Sequence, residues 1–182
     1  ETGCVKVYQL TDNSWNQLGA NIIGEASGNQ LGYVSLSSDG SILATGAKYN
    51  TVDSSSNTGH VKVYKYTDTS WNQLGANIIG EVTSNIGGII SLSADGTRVA
   101  IGSPNNDDNG IDSGRVKVYQ YIDSSWNQIG ANIVGESAGD IASYVALSSN
   151  GLKLAIGVDF SESNITTSKH VRVHEILDIS QP

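Results

Sequence analysis

Val34-Ser35-Leu36-Ser37-Ser38-Asp39-Gly40 decides the fold, because the chain carries it three times. The second copy is Ile90-Ser91-Leu92-Ser93-Ala94-Asp95-Gly96, and the third is Val145-Ala146-Leu147-Ser148-Ser149-Asn150-Gly151. Each copy alternates apolar and polar residues and ends in Asp-Gly or Asn-Gly. Alternation at period two is the signature of a half-buried strand. Asp-Gly or Asn-Gly between apolar runs is a strong hairpin signal, because a two-residue turn of that kind wants φ > 0 at both positions. The partner strands are Ile42 to Gly46, Arg98 to Gly102 and Leu152 to Gly157.

Outward from this hairpin the rest of the chain repeats too. Val5-Lys6-Val7-Tyr8 returns at Val61 and at Val116, and in weakened form as Val171-Arg172-Val173-His174. The offsets are 55 or 56 residues. Ser14-Trp15-Asn16-Gln17-Leu18-Gly19 returns from Ser70 and from Ser125, and Asn21-Ile22-Ile23-Gly24-Glu25 from Asn77 and Asn132. Self-similarity at one period is the mark of a repeat architecture. Each period reads as four short strands, and nowhere do apolar residues recur at helical spacing for three turns. The expected fold is all-β: β-propeller blades of four antiparallel strands, in about three 55-residue repeats. A three-fold β-trefoil-like fold is the alternative. The whole chain, 1–182, reads as one repeat domain, with units at about 5–60, 61–115 and 116–170 and a terminal strand at 171–177. Whole blades are expected at about 32–81 and 88–136, with strands three and four of another blade before them. Propellers close with about four to eight blades. The chain is therefore expected to be part of a larger propeller, or one closed by self-association.

Composition narrows the function classes. The net charge is −8, from 10 Lys+Arg and 18 Asp+Glu, which disfavours nucleic acid and anionic lipid as partners. Charged residues make up 15%, against the usual quarter or so, and hydroxyl and amide side chains fill the difference. No run approaches the roughly 18 apolar residues of a membrane span. Cys4 is the single cysteine, so no internal disulfide forms. It reads either as an incidental thiol or as a link to a segment outside the chain. With no methionine, the chain reads as a processed, excised or engineered segment, and Glu1-Thr2-Gly3 as a possible cloning remnant.

The pattern Leu31-Gly32…Val34-Ser35-Leu36 followed by Ala44-Thr45-Gly46-Ala47 resembles the FG-GAP repeat of integrin-α-type propellers, as does Ile101-Gly102-Ser103-Pro104 in the next copy. The resemblance extends along the whole chain as repeated units. It implies a propeller, commonly seven-bladed, that recognises proteins or glycans outside the cell and performs no catalysis. The chain departs from that family in two ways. Ser37-Ser38-Asp39-Gly40 is too short for the usual calcium loop, since calcium takes six to eight oxygen ligands. The third repeat has Ala142-Ser143, Lys169 and His174 where the others have Leu/Gly-Gly, Gly and Tyr.

Several residues are candidates for chemistry. Asp107, Asp108 and Asp112 fall in an Asn/Asp-rich loop, 105–112, that reads as a calcium site or as a solvated acidic turn. Trp15, Trp71 and Trp126, one per repeat, read as packing between blades or as platforms for sugar rings. Glu25, Glu81 and Glu136 read as repeated caps or as a ring of carboxylates. Asn164 heads the Asn-Ile-Thr sequon and is a glycosylation candidate. His170 and His174, four apart on a strand, are about 13 Å from each other and do not share a metal. The expected function is a non-catalytic extracellular or cell-surface module that binds a protein or glycan through its loop face. The alternative is a structural subunit of an extracellular filament, sheath or matrix assembled blade to blade.

Overall fold

The structure is a computed structural model that describes residues 2–49, 58–81, 86–159 and 170–176. The described residues are all-β, with every strand pairing antiparallel. Strands β1 (Cys4–Val5), β2 (Tyr8–Thr11), β3 (Ser14–Gln17) and β4 (Ile22–Ile23) form two small ladders, β1 with β4 and β2 with β3. The next sheet runs β5 (Leu31–Leu36), β6 (Ile42–Ala47), β7 (His60–Thr67) and β8 (Ser70–Gln73), with β9 (Ile78–Ile79) also on β7. A four-stranded sheet follows: β10 (Ile89–Leu92), β11 (Arg98–Ser103), β12 (Arg115–Ile122) and β13 (Ser125–Val134). The last sheet has β14 (Tyr144–Leu147), β15 (Lys153–Val158) and β16 (His170–Glu175). Each sheet is a meander, and neighbouring sheets pack face to face through the same repeat positions. That is the propeller blade arrangement, and not the trefoil alternative.

Because each inner sheet is covered on both faces, both halves of the sequence alternation are used. All six residues of β11 are buried. The three cores repeat one another. Val5, Val7 and Ile22 meet Leu43 and Ala47. Val61, Val63 and Ile78 meet Val99 and Ile101. Val116, Val118 and Ile129 meet Leu154 and Ile156. Burying one such side chain contributes about 1.5–3 kcal/mol. The same valines in the last repeat, Val171 and Val173, are 68% and 66% exposed, because no described sheet follows them.

Polar contacts between sheets recur as well. The Ser35 hydroxyl accepts the Leu92 N–H at 3.0 Å, and the Ser91 hydroxyl accepts the Leu147 N–H at 2.9 Å. The serine inside Val-Ser-Leu-Ser is thus a bridge to the next blade. Gly46 and Gly102 mark where sheets approach closest. A Cβ on Gly46 would stand 1.9 Å from the Gly87 carbonyl oxygen, and one on Gly102 2.0 Å from the Ser143 oxygen.

The hairpin turns differ from the sequence expectation. At Ser37-Ser38-Asp39-Gly40 only the glycine has positive φ, 71°. The Ser37 N–H donates to the Ile42 oxygen, so the connection is a four-residue loop, Ser38 to Ser41, whose third residue is a left-handed glycine. Asp39 stays right-handed because its carboxylate is engaged by the Ser41 N–H and by the Ser37 and Ser41 hydroxyls. Those bonds hold its pKa down to about 2, the Ser41 N–H first and then the hydroxyls. The two-residue turns with both φ positive lie elsewhere, at Asp12-Asn13 (49°, 60°), Asp68-Thr69 (50°, 71°) and Asp123-Ser124 (48°, 64°).

Candidate functional site

A cavity of about 420 Å³ opens where the loops of three consecutive sheets converge. The first sheet of the three contributes Tyr33 and Lys48, the second Ile89, Pro104, Asn105 and Asp112, and the third Ile141, Ser143 and Tyr144. Tyr33 and Tyr144 occupy the same repeat position, at the start of the innermost strands, where the middle repeat has Ile89. Their rings are 39% and 54% exposed, so the walls are aromatic and reachable. The polar groups lie between them. The Asn105 side-chain amide donates to the Asp112 carboxylate at 3.2 Å. The Lys48 ammonium lies 5.2 Å from the centre of the Tyr49 ring. Backbone strain is stored at the rim. Asp112 has φ 52° and Ile141 φ 46°, and the Ile141 N–H donates to the Asp112 oxygen at 3.0 Å. Positive φ on a β-branched residue is rare, and such outliers cluster at ligand sites.

The three aspartates of the 105–112 loop are not gathered around one point. Asp107 accepts the Asp112 N–H at 2.8 Å, which closes the loop on itself. Asp108 turns away to the Arg115 guanidinium at 2.9 Å. Asp112 faces Asn105 and the cavity. Among the described residues no three His, Cys, Asp or Glu side chains come together to hold a metal. Of the two readings of this loop, the contacts described are those of a turn whose acidic side chains are engaged by local donors and by Arg115.

The tryptophans divide into two kinds. The Trp71 indole N–H donates to the Leu18 carbonyl of the preceding sheet at 2.9 Å, and Trp126 repeats this on Leu74 at 2.8 Å. Each ring also packs, tilted, against the tyrosine opposite it, Tyr66 or Tyr121, with centroids 5.1 Å apart. Both seal blade interfaces and neither reaches the loop-face cavity. Trp15, with no described sheet before it, is 70% exposed.

The glutamates each pair with a cation of the following sheet. Glu25 pairs with Lys62, Glu81 with Arg115 at 3.0 Å and Lys117 at 2.6 Å, and Glu136 with Arg172 at 3.5 Å. Each pair joins consecutive sheets. The Lys62 hydrogen bond holds the Glu25 carboxyl below its ordinary range, and Lys117, with Arg115, does the same for Glu81. Arg115 is buried and bridges Asp108 and Glu81, which compensates the charge. His60, at the same repeat position, is buried and neutral, its pKa pushed down by desolvation first and then by Lys62. Cys4, the first residue of this set, is an exposed free thiol. Asn164 lies outside the described residues.

Tyr33, Tyr144 and Lys48 were not singled out by the sequence. The available signal was an aromatic at the same register in two repeats, just before the alternating strand.

No family model matches the chain, and a search of curated proteins found no relative. Solved structures do match. A putative 6-phosphogluconolactonase from Bacteroides uniformis aligns with TM-score 0.57 and 11% identity over 96% of this chain and 49% of its own. TolB from Acinetobacter baumannii aligns at 0.50 and 15%, over 94% and 38%. Hydrazine synthase of Kuenenia stuttgartiensis aligns at 0.51 and 15%, over 86% and 47%. The fold is that of a β-propeller. At these identities the likeness concerns fold alone, since one fold hosts many functions. The chain spans less than half the length of each of these structures.

Proposed function

We propose that this chain is a non-catalytic β-propeller module that binds a glycan through the loop-face cavity. The placement of Tyr33 and Tyr144 carries the reading. Two exposed rings flank a polar stretch of Lys48, Asn105, Asp112 and Ser143. Apolar ring faces with a few convergent polar groups suit a sugar, which has one apolar face and a rim of hydroxyls. The cavity volume is within the range of small-ligand sites, about 300–1,000 Å³. The resemblance to FG-GAP repeats supports the same reading, and with it an extracellular or cell-surface setting. The test is a glycan array probed with the labelled chain, followed by calorimetry on the best hit. Tyr33→Ala and Tyr144→Ala are each expected to weaken binding by roughly tenfold, while Trp15→Ala leaves it unchanged. Binding indifferent to both tyrosines, or no glycan bound, would refute the assignment. Blade-to-blade assembly is the second reading, favoured by the recurrence of one inter-sheet contact, Trp71 on the Leu18 carbonyl and Trp126 on the Leu74 carbonyl.

A further inference from the structure

The loop-face cavity has one cation among its described walls, Lys48. The chain carries a net charge of −8, so an anionic ligand gains nothing from its overall field. Any preference for an anion has to come from a local positive charge. The cations at the sheet interfaces are engaged: Lys62 with Glu25, Lys117 with Glu81, Arg115 with Asp108 and Glu81, and Arg172 with Glu136. Among the described residues no carboxylate pairs with Lys48, whose ammonium lies 5.2 Å from the centre of the Tyr49 ring.

Lys48 follows β6 directly, where the next two sheets have Pro104 after β11 and Asp159 after β15. The charge therefore belongs to one repeat and not to the scaffold. Its stem is seated by Gly88, at the start of the next sheet. A Cβ there would stand 3.1 Å from the Lys48 Cδ, 3.6 Å from its Cγ and 3.8 Å from its Cε. The stem lies against a residue with no side chain, and the half-buried lysine is held at the cavity wall. The second sheet supplies Asp112, the one carboxylate among the described walls, to which the Asn105 amide donates at 3.2 Å. The walls thus carry one charge of each sign, on different sheets.

We propose that the loop-face cavity selects an acidic sugar with a single negative charge, a uronic acid or a sulfate monoester, whose anionic group sits at Lys48. This rests on the glycan reading of the cavity and narrows it to a class of sugar. The ammonium donates charge-assisted hydrogen bonds to the anion, roughly twice as strong as neutral ones. Ring hydroxyls donate to the Asp112 carboxylate, which accepts and cannot donate. A neutral sugar satisfies Asp112 and leaves Lys48 with Tyr49 alone. A doubly charged phosphate ester brings a second negative charge that no described wall residue balances. The rings of Tyr33 and Tyr144 cover the apolar face of the sugar in either case.

The test probes the full chain on an array that prints each acidic sugar beside its neutral counterpart: uronic acids with their methyl esters, sulfated sugars with their unsulfated forms. Calorimetry on the best pair then gives the margin between the two members. The acidic member is expected to bind roughly tenfold tighter, with a margin that shrinks as salt rises. Lys48→Gln should bring the margin to about one, Lys48→Arg should keep it, and Asp112→Asn should widen it, each with unchanged circular dichroism. A margin among the uronates assigns the carboxylate, one among the sulfated sugars assigns the sulfate, and either supports the proposal. Neutral members that bind as tightly as acidic ones, or a margin that survives Lys48→Gln, overturn it while the glycan reading stands. If no glycan binds, the loop-face reading falls and this proposal falls with it.

Discussion

Gly102→Ala and Gly157→Ala change the same residue at the same repeat position, and the structure assigns them opposite outcomes. Neither glycine has a positive φ, so backbone conformation does not penalise alanine at either site. At Gly102 the new Cβ would stand 2.0 Å from the Ser143 carbonyl oxygen, itself backbone, so the next sheet must retreat by about 1 Å. That retreat opens the interface where Val116 and Val118 meet Leu154 and Ile156. Overpacking of this kind costs about 1–3 kcal/mol and occasionally more, and a rigid backbone neighbour puts Gly102 at the upper end. At Gly157 the nearest atom among the described residues is the Tyr144 Cβ, at 3.1 Å from the new Cβ. A shift of Tyr144 by a few tenths of an ångström relieves that contact, far less than Gly102 demands, and the reduced entropy of the unfolded chain returns about 0.4–1 kcal/mol. The expected result is a loss of about 3 kcal/mol for Gly102→Ala, or roughly 6–12 °C in Tm for a chain of this size. Gly157→Ala should lie within about 1 kcal/mol of the parent. Urea and thermal denaturation followed by far-ultraviolet circular dichroism measure both. Equal losses at the two sites would refute the claim that close approach of neighbouring sheets fixes this glycine.

Trp126→Ala should cost about 3 kcal/mol through lost packing and the lost bond to the Leu74 carbonyl. Trp15→Ala, measured at low chain concentration, should stay within about 0.5 kcal/mol, and parity between the two would contradict the interface role of Trp126. Stability should fall on acidification in two steps. His60 has a folded pKa below its ordinary 6.5, so the unfolded chain takes up the proton first and stability is lost as pH drops from that value. Glu25 and Glu81, depressed below 4.5, add a second loss as pH falls through their folded values. Urea midpoints across pH measure this, and His60→Gln should remove only the upper step; a profile unaltered by that substitution would discount His60. Glu81→Gln should weaken the hold on Lys117 while Asp108 still compensates Arg115. A modest loss that shrinks in high salt is expected from salt-series melting, and a loss independent of salt would point to packing instead.

The sequence made the architecture legible because the physics of a blade is local. Val61 and Val116 alternate with lysines, and the recurrence of Trp71 at Trp126 told of one shared environment. What it hid were relations between blades. Nothing in Val-Ser-Leu-Ser says that Ser35 reaches an amide 57 residues on. The glutamates read as caps because their partners, Lys62 and Lys117, lie 36 or 37 residues away on the next sheet. The acidic loop left a calcium site and a solvated turn both open because Arg115, which draws Asp108 aside, belongs to the following strand. Asp39-Gly40 read as a two-residue turn because a neighbouring hydroxyl was not credited with holding the aspartate right-handed. The loop-face cavity was hidden for the same reason: its walls come from three repeats, and Asn105 and Asp112 alone among them belong to the acidic loop read as a candidate site.

The inter-sheet contacts depend only on the step from one repeat to the next. A Ser35-type hydroxyl meets a Leu92-type amide, a Leu74-type carbonyl meets a Trp126-type indole, and a Glu81-type carboxylate meets a Lys117-type ammonium. Such an array is a one-dimensional lattice with nearest-neighbour coupling. Its length is therefore an editable quantity. Removing residues 61–115, one full period, would bring surfaces together that already know how to fit. The interchangeability is not complete, because Ala142, Ser143 and His174 set the third repeat apart from the first two.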